Sequence, residues 1–81
     1  MRAAIARPRP ANPSTVVGRR VRELRLALRL SQEGLAERAG IHVTYLSSLE
    51  NGKRNPTLKV LAALAEGLQI PLFDLFKDAG G

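Results

Sequence analysis

The chain has 81 residues, of which 44% are hydrophobic, 4% aromatic and 25% charged, enough for one small domain with tails and too little for several. A chain of this size buries only about 60–65% of the surface its unfolded form exposes, which leaves no room for a deep catalytic cleft. No Cys and a single His exclude disulfides, thiolate zinc sites, thiol nucleophiles and an all-imidazole metal site, while 13 Lys+Arg against 7 Asp+Glu give a net charge of +6 that points to a polyanionic partner.

Residues 1–13 read MRAAIARPRPANP, with three of the five prolines, three arginines and no acidic residue. Nothing in that segment can hold a fold. It is expected to be disordered, either a plain tail or a basic arm that follows DNA, and it lacks the apolar stretch of about 7 to 15 residues that a signal peptide needs. No apolar run approaches the roughly 20 residues of a membrane span, so the protein is expected in the cytoplasm.

From Ser14 the pattern turns helical, with Ser14 or Thr15 as the cap and Val17, Val21, Leu24 and Leu28 recurring at spacings of four, three and four. This predicts a first helix over about 15–29. A second helix over about 32–39 takes Ser31 as N-cap and ends at Gly40, where a left-handed residue is wanted. A third runs over about 43–50, with Leu46 and Leu49 inward, and stops at Asn51-Gly52. Thr57 caps a fourth, whose Leu58, Leu61, Ala62, Ala65 and Leu68 form its apolar face. Pro71 opens a fifth over about 72–76, four of whose five residues are apolar. The expected domain is therefore all-α and spans 14–76, with 77–81 as a short tail.

The second helix, the turn at Gly40 and the third helix reproduce a helix-turn-helix plan, two short helices joined by a tight turn with the second free to enter a major groove. If Leu46 and Leu49 face the core, Val43, Thr44, Ser47 and Ser48 face outward and form the base-facing set. Tyr45 is amphipathic, so its ring can lean on the core while its hydroxyl reaches a phosphate or a base. With only Tyr45, Phe73 and Phe76 aromatic, the chain lacks stacking platforms for single strands, and duplex DNA is the leading partner.

The run Ser31-Gln32-Glu33-Gly34-Leu35-Ala36-Glu37-Arg38-Ala39-Gly40-Ile41, followed by Tyr45-Leu46-Ser47-Ser48-Leu49-Glu50-Asn51-Gly52-Lys53-Arg54-Asn55-Pro56-Thr57-Leu58, resembles the lambda-repressor-like helix-turn-helix family of the Cro/cI type. Within it the chain is similar to the restriction-modification controller proteins. The resemblance implies a five-helix fold and no enzymatic activity. It assigns Gln32 to a phosphate at a helix N-terminus, and Thr44 and Ser47 to base edges. Val43 stands where the family often has Arg or Gln, which shifts the weight toward thymine-methyl contacts and DNA shape. His42 stands where Ser, Asp or Thr commonly caps, and is expected to be a surface turn residue. The resemblance further implies that Asn51, Lys53 and Arg54 clamp the DNA backbone and that Arg25 pairs with Glu50 to set the angle between the first and third helices, with Arg25 near a phosphate.

One recognition helix with small side chains reads too few base pairs to be specific, so a homodimer on a (pseudo)palindromic operator is expected, with Leu72, Leu75 and Phe76 at its interface. The expected function is a sequence-specific DNA-binding transcriptional regulator with no metal, cofactor or small-molecule ligand. The alternative is an antitoxin-like module that uses the same fold mainly to bind protein.

Overall fold

The computed structural model describes residues 12–77. The predicted arm up to residue 11 and the tail from 78 lie outside the described residues. In chain order the elements are α1 (Pro13–Ala27), α2 (Gln32–Ala39), α3 (Val43–Glu50), α4 (Leu58–Leu68) and a 3-10 helix at Leu72–Phe76. The described residues form no strand, and the fold is all-α as expected, but with four α-helices and a 3-10 helix in place of five α-helices. Extended backbone at Pro71 and Lys77 confines the last element to five residues, too few to sustain an α-helical nucleus, so the tighter 3-10 turn takes its place.

α1 begins and ends earlier than its periodicity suggested. Its cap is Asn12, whose Oδ1 accepts a 2.8 Å bond from the Ser14 amide, and Pro13 occupies the first turn, where its missing N–H is no loss. At the other end Arg29 turns into the left-handed region at φ 58°, and the Leu30 amide bonds back to the Arg25 carbonyl at 3.1 Å. Leu28 is thereby taken out of the core stripe and is 45% exposed, while the buried stripe of α1 runs Val17, Gly18, Val21, Arg25.

The caps of α2 and α4 are those the sequence predicts. Ser31 Oγ accepts from the Gly34 amide at 2.9 Å and Thr57 Oγ1 from the Val60 amide at 3.2 Å. On α4 the buried set is Leu61, Leu64, Ala65, Gly67 and Leu68. Leu58 and Ala62 are exposed instead of buried. At about 100° per residue the inward line centres on Leu61, and Leu58 and Ala62 lie about 60° and 100° to one side of it.

A single core gathers Val17, Val21, Leu35, Ala36, Leu46, Leu49, Leu61, Leu64, Ala65, Leu68 and Leu75. α2 packs on α4 and α3, and α1 packs on α3 and the 3-10 helix. Two glycines inside helices let neighbouring helices pack closely. A Cβ on Gly18 would lie 2.2 Å from the Leu49 carbonyl oxygen, so α1 crosses the end of α3 with backbone against backbone. A Cβ on Gly67 would come within 3.2 Å of Arg38 and Leu35, and the Arg38 guanidinium donates to the Gly67 carbonyl at 3.1 Å near the end of α4. No helix of the described residues is long and apolar enough to cross a membrane.

Candidate nucleic-acid interface

α2 and α3 are joined by three residues, and the turn depends on Gly40. Its φ of 71° lies in the left-handed region, and the following Ile41 amide bonds back to the Ala36 carbonyl at 3.0 Å. A Cβ there would meet nothing within 4 Å, so backbone conformation and not space selects glycine. The turn lets α3 start at Val43 with Leu46 and Leu49 driven into the core.

With those two leucines inward, Thr44, Ser47, Ser48 and Asn51 form one outer stripe at the i, i+3, i+4, i+7 spacing. Thr44 and Asn51 are exposed, and Ser47 and Ser48 are half-buried. Val43 differs from the expected set, because it is half-buried and packs against the core. Its isopropyl group is shared between the core and the outer face. His42 stands at the N-cap, exposed and making no side-chain cap bond.

The orientation of α3 is set from behind by a buried ion pair. Arg25 Nε donates to Glu50 Oε2 at 2.7 Å and Arg25 Nη2 to Glu50 Oε1 at 3.0 Å, a two-pronged grip between residues that are each 7% exposed. Arg25 Nη1 also donates to the Leu30 carbonyl at 2.8 Å. The hydrogen bonds to Glu50 hold the Arg25 guanidinium above the ordinary arginine range, against the opposing effect of burial. Gln32 joins the same carboxylate, with Nε2 donating to Glu50 Oε1 at 3.0 Å. This side chain, expected at a phosphate, is thus engaged within the chain. Together the three residues tie the end of α1, the start of α2 and the end of α3 to one another.

After α3 the chain enters a basic loop. Asn51 folds back, its Nδ2 donating to the Ser47 carbonyl at 3.0 Å. Gly52 has φ 76°, and a Cβ on it would lie 2.8 Å from Thr15 Oγ1 and 3.1 Å from Thr15 Cα, so the loop passes directly over the first turn of α1. The Lys53 amide bonds to the Ser48 carbonyl at 3.0 Å, and the Ser14 hydroxyl bonds to Asn55 Oδ1. Lys53 and Arg54 are exposed between these anchors. The Arg54 guanidinium carbon sits over the Tyr45 ring, 5.3 Å from its centroid, while that ring packs against the core.

The sequence did not indicate Asn12, Ser14–Asn55, Thr15–Gly52 or Gly18 as supports of this surface. Gly18 carried a signal that could have been used: a glycine inside a helix, next to the inward Val17 and far from any cap, implies close packing. Among the arginines of α1 and the turn after it, Arg19, Arg22 and Arg29 are exposed, whereas Arg20 donates from Nε to the Asp74 carbonyl at 3.0 Å.

The C-terminal segment divides the residues expected at an interface between buried and exposed positions. In a 3-10 helix residues three apart share a face. Leu72 and Leu75 therefore point together at the core, where Leu75 is completely buried and has no surface to offer a partner. Phe73 and Phe76 share the other face and are 64% and 50% exposed. Phe76 borders an apolar groove formed with Pro13, Val17, Pro56 and Leu61.

Comparison with known proteins agrees with this arrangement. The chain is 45% identical over 65 residues to the control protein C.SmaI of Serratia marcescens, covering 80% of this chain and 77% of that one. It is 49% identical over 49 residues to the control protein C.MunI of a Mycoplasma species, covering 60% of this chain and 66% of the relative, just short of two thirds of its length. The crystal structure of the restriction-modification controller protein C.AhdI from Aeromonas hydrophila superposes with a TM-score of 0.77 at 41% identity, covering 78% of this chain and 96% of that one. The helix-turn-helix family model HTH_3 matches residues 21–75, most of the described fold, and the chain belongs to that family.

Proposed function

We propose that the protein is a sequence-specific, double-stranded-DNA-binding transcriptional regulator of the controller type, acting as a homodimer on a (pseudo)palindromic operator. The observation that carries this reading is the outer stripe of α3, Thr44, Ser47 and Ser48, presented beside the exposed Lys53 and Arg54 on a framework locked by Arg25, Gln32 and Glu50. Thr44 and Ser47 read base edges, with Ser48 and Val43 adding contacts at the groove wall, and Lys53 and Arg54 neutralise phosphates. Gln32 serves the DNA through its place at the start of α2, where amide groups at a helix N-terminus favour an anion, while Asn51 and Tyr45 border the contact surface.

The small side chains of α3 read few bases, so two copies on half-sites about 34 Å apart supply the specificity. The exposed Phe73 and Phe76, with the groove beside Phe76, provide an apolar surface for the second copy. Selection of bound sequences from a random duplex pool tests the reading. Two inverted half-sites about one helical turn apart are expected. Binding that shows no sequence preference, or that responds little to salt, would overturn it, since each neutralised phosphate contributes a slope of about 0.9 in log affinity against log salt. A protein-binding, antitoxin-like role is the outcome that such a result would favour.

A further inference from the structure

We propose that Tyr45 is a positioning residue for DNA binding, whose ring holds the Arg54 guanidinium in place on the loop after α3. The proposal rests on the DNA-binding reading above and adds to it a division of labour. Tyr45 acts through Arg54, and not through its own hydroxyl.

The two partners have very different freedom. Tyr45 is carried by α3, which is pinned through Leu46 and Leu49 in the core and Glu50 in the buried ion pair. Its ring is half-buried, packs against the core and lines a shallow groove with Gly40, Ile41, His42 and Val60. Arg54 is an exposed residue in the irregular segment between α3 and α4, whose backbone is anchored at the Lys53 amide and whose Asn55 side chain is bonded to Ser14. A free arginine in such a segment samples many rotamers, and ordering it on a phosphate lowers affinity. The 5.3 Å approach of its guanidinium carbon to the Tyr45 centroid removes part of that freedom before DNA arrives. A guanidinium held over a ring face keeps its in-plane N–H donors available for a phosphate. Lys53, the neighbouring cation, has its amide fixed on the Ser48 carbonyl but no ring beneath it, so the two basic residues of the loop are not equivalent.

The chain contains one tyrosine and no tryptophan, so the near-ultraviolet circular dichroism of the tyrosine band reports Tyr45 alone. In the free protein, Arg54→Ala is expected to change that band and Lys53→Ala to leave it as it was. An unchanged band in Arg54→Ala overturns the proposal without touching the DNA-binding reading. Binding is then measured on a mixed-sequence DNA duplex over a range of salt. Tyr45→Leu is expected to weaken binding about two- to fivefold, the worth of an exposed cation–ring contact. Tyr45→Phe, which keeps the ring and the packing, is expected to bind like the unmodified protein, and Tyr45→Leu is expected to add no loss in an Arg54→Ala background. A loss in Tyr45→Phe equal to that in Tyr45→Leu would mean that the hydroxyl touches DNA, and an undiminished loss in the Arg54→Ala background would mean that Tyr45 acts without Arg54. Either result overturns the proposal. Absence of salt-dependent duplex binding by the unmodified protein overturns the DNA-binding reading itself, and the positioning role with it.

Discussion

Arg25 and Glu50, 25 positions apart in the chain and on different helices, meet in a two-pronged ion pair at 2.7 and 3.0 Å while both are almost wholly buried. The pair is the joint between α1 and the recognition helix, and Gln32 adds α2 to it. Removing one partner leaves a buried charge without compensation, a change that typically costs about 3–5 kcal/mol, far above the value of an exposed pair. Glu50→Leu and Arg25→Met are each expected to lower the unfolding free energy obtained from urea titration by that order. The double variant is expected to recover much of the loss, because two apolar side chains leave no orphaned charge. Additive losses in the double variant would show that the two residues act independently. The raised Arg25 pKa does not make this stability pH-dependent in practice: the contribution of a group whose folded pKa is raised is complete below its unfolded pKa and is lost only as pH rises through the folded one, which here lies above the ordinary arginine range.

Gly18→Ala is expected to destabilise the fold even though alanine is the better helix former by about 1 kcal/mol. The new methyl would sit 2.2 Å from the Leu49 carbonyl oxygen and 3.0 Å from that of Glu50, and backbone cannot move aside as a side-chain end can. Overpacking of this kind costs about 1–3 kcal/mol and here also displaces the end of α3. Thermal melts of the variant should show a drop of several degrees, at about 4–8 °C per kcal/mol for a domain of this size. A melting temperature at or above that of the unmodified protein would refute the close crossing of α1 and α3.

What the sequence made legible was mostly local chemistry. Ser31, Gly40 and Thr57 could be placed because a cap or a left-handed turn is decided within three or four residues, and α2 and α3 emerged with their predicted ends. Leu28, Leu58 and Leu75 were misplaced because their burial depends on where other elements lie. Arg29 ends α1 before Leu28 can turn inward, Leu58 lies off the inward line of α4, and the 3-10 geometry turns Leu72 and Leu75 toward the core while Phe76 stays exposed. Of the candidate site, the outer stripe of α3 followed from helical periodicity. The engagement of Gln32 with Glu50 did not, because a glutamine at a helix start serves an anion or a neighbouring carboxylate equally well until the neighbour is placed.

Phe73 and Leu75 should separate association from folding. Phe73→Ser and Phe76→Ser remove apolar surface that is 64% and 50% exposed in the single chain, so they are expected to shift sedimentation toward monomer with little change in monomer stability. Leu75→Ala removes a fully buried side chain and is expected to cost about 2–5 kcal/mol of folding stability. If the serine variants stay dimeric, or the unmodified protein is monomeric at every concentration, the exposed phenylalanines are not the contact between copies.

Base reading and phosphate clamping are assigned to different residues, and their variants should behave differently. Thr44→Ala and Ser47→Ala are expected to relax preference at particular operator positions, each within the roughly 1–3 kcal/mol of a base contact, while leaving the salt dependence almost unchanged. Arg54→Ala is expected to weaken all duplexes alike and to lower the salt slope by about one. A change of base preference in Arg54→Ala, measured by repeating the selection from a random pool, would reverse the assignment.

Val43 gives the sharpest test of what α3 reads. It is the first residue of the recognition helix, half-buried, with one side of its branched chain packed against the core and only methyl groups to offer a base. Such a residue can favour thymine through its methyl but cannot make the paired hydrogen bonds that distinguish guanine. Val43→Arg keeps an apolar stem over the core and sends a guanidinium outward from the start of the helix. The variant is therefore expected to gain a preference for guanine at one position in each half-site, worth about 1–3 kcal/mol, and to gain it symmetrically if two copies bind. A repeat of the selection with this variant reads both features at once. Unchanged half-sites would mean that residue 43 does not face the groove, and a new guanine in only one half-site would mean that the two copies do not bind as a symmetric pair.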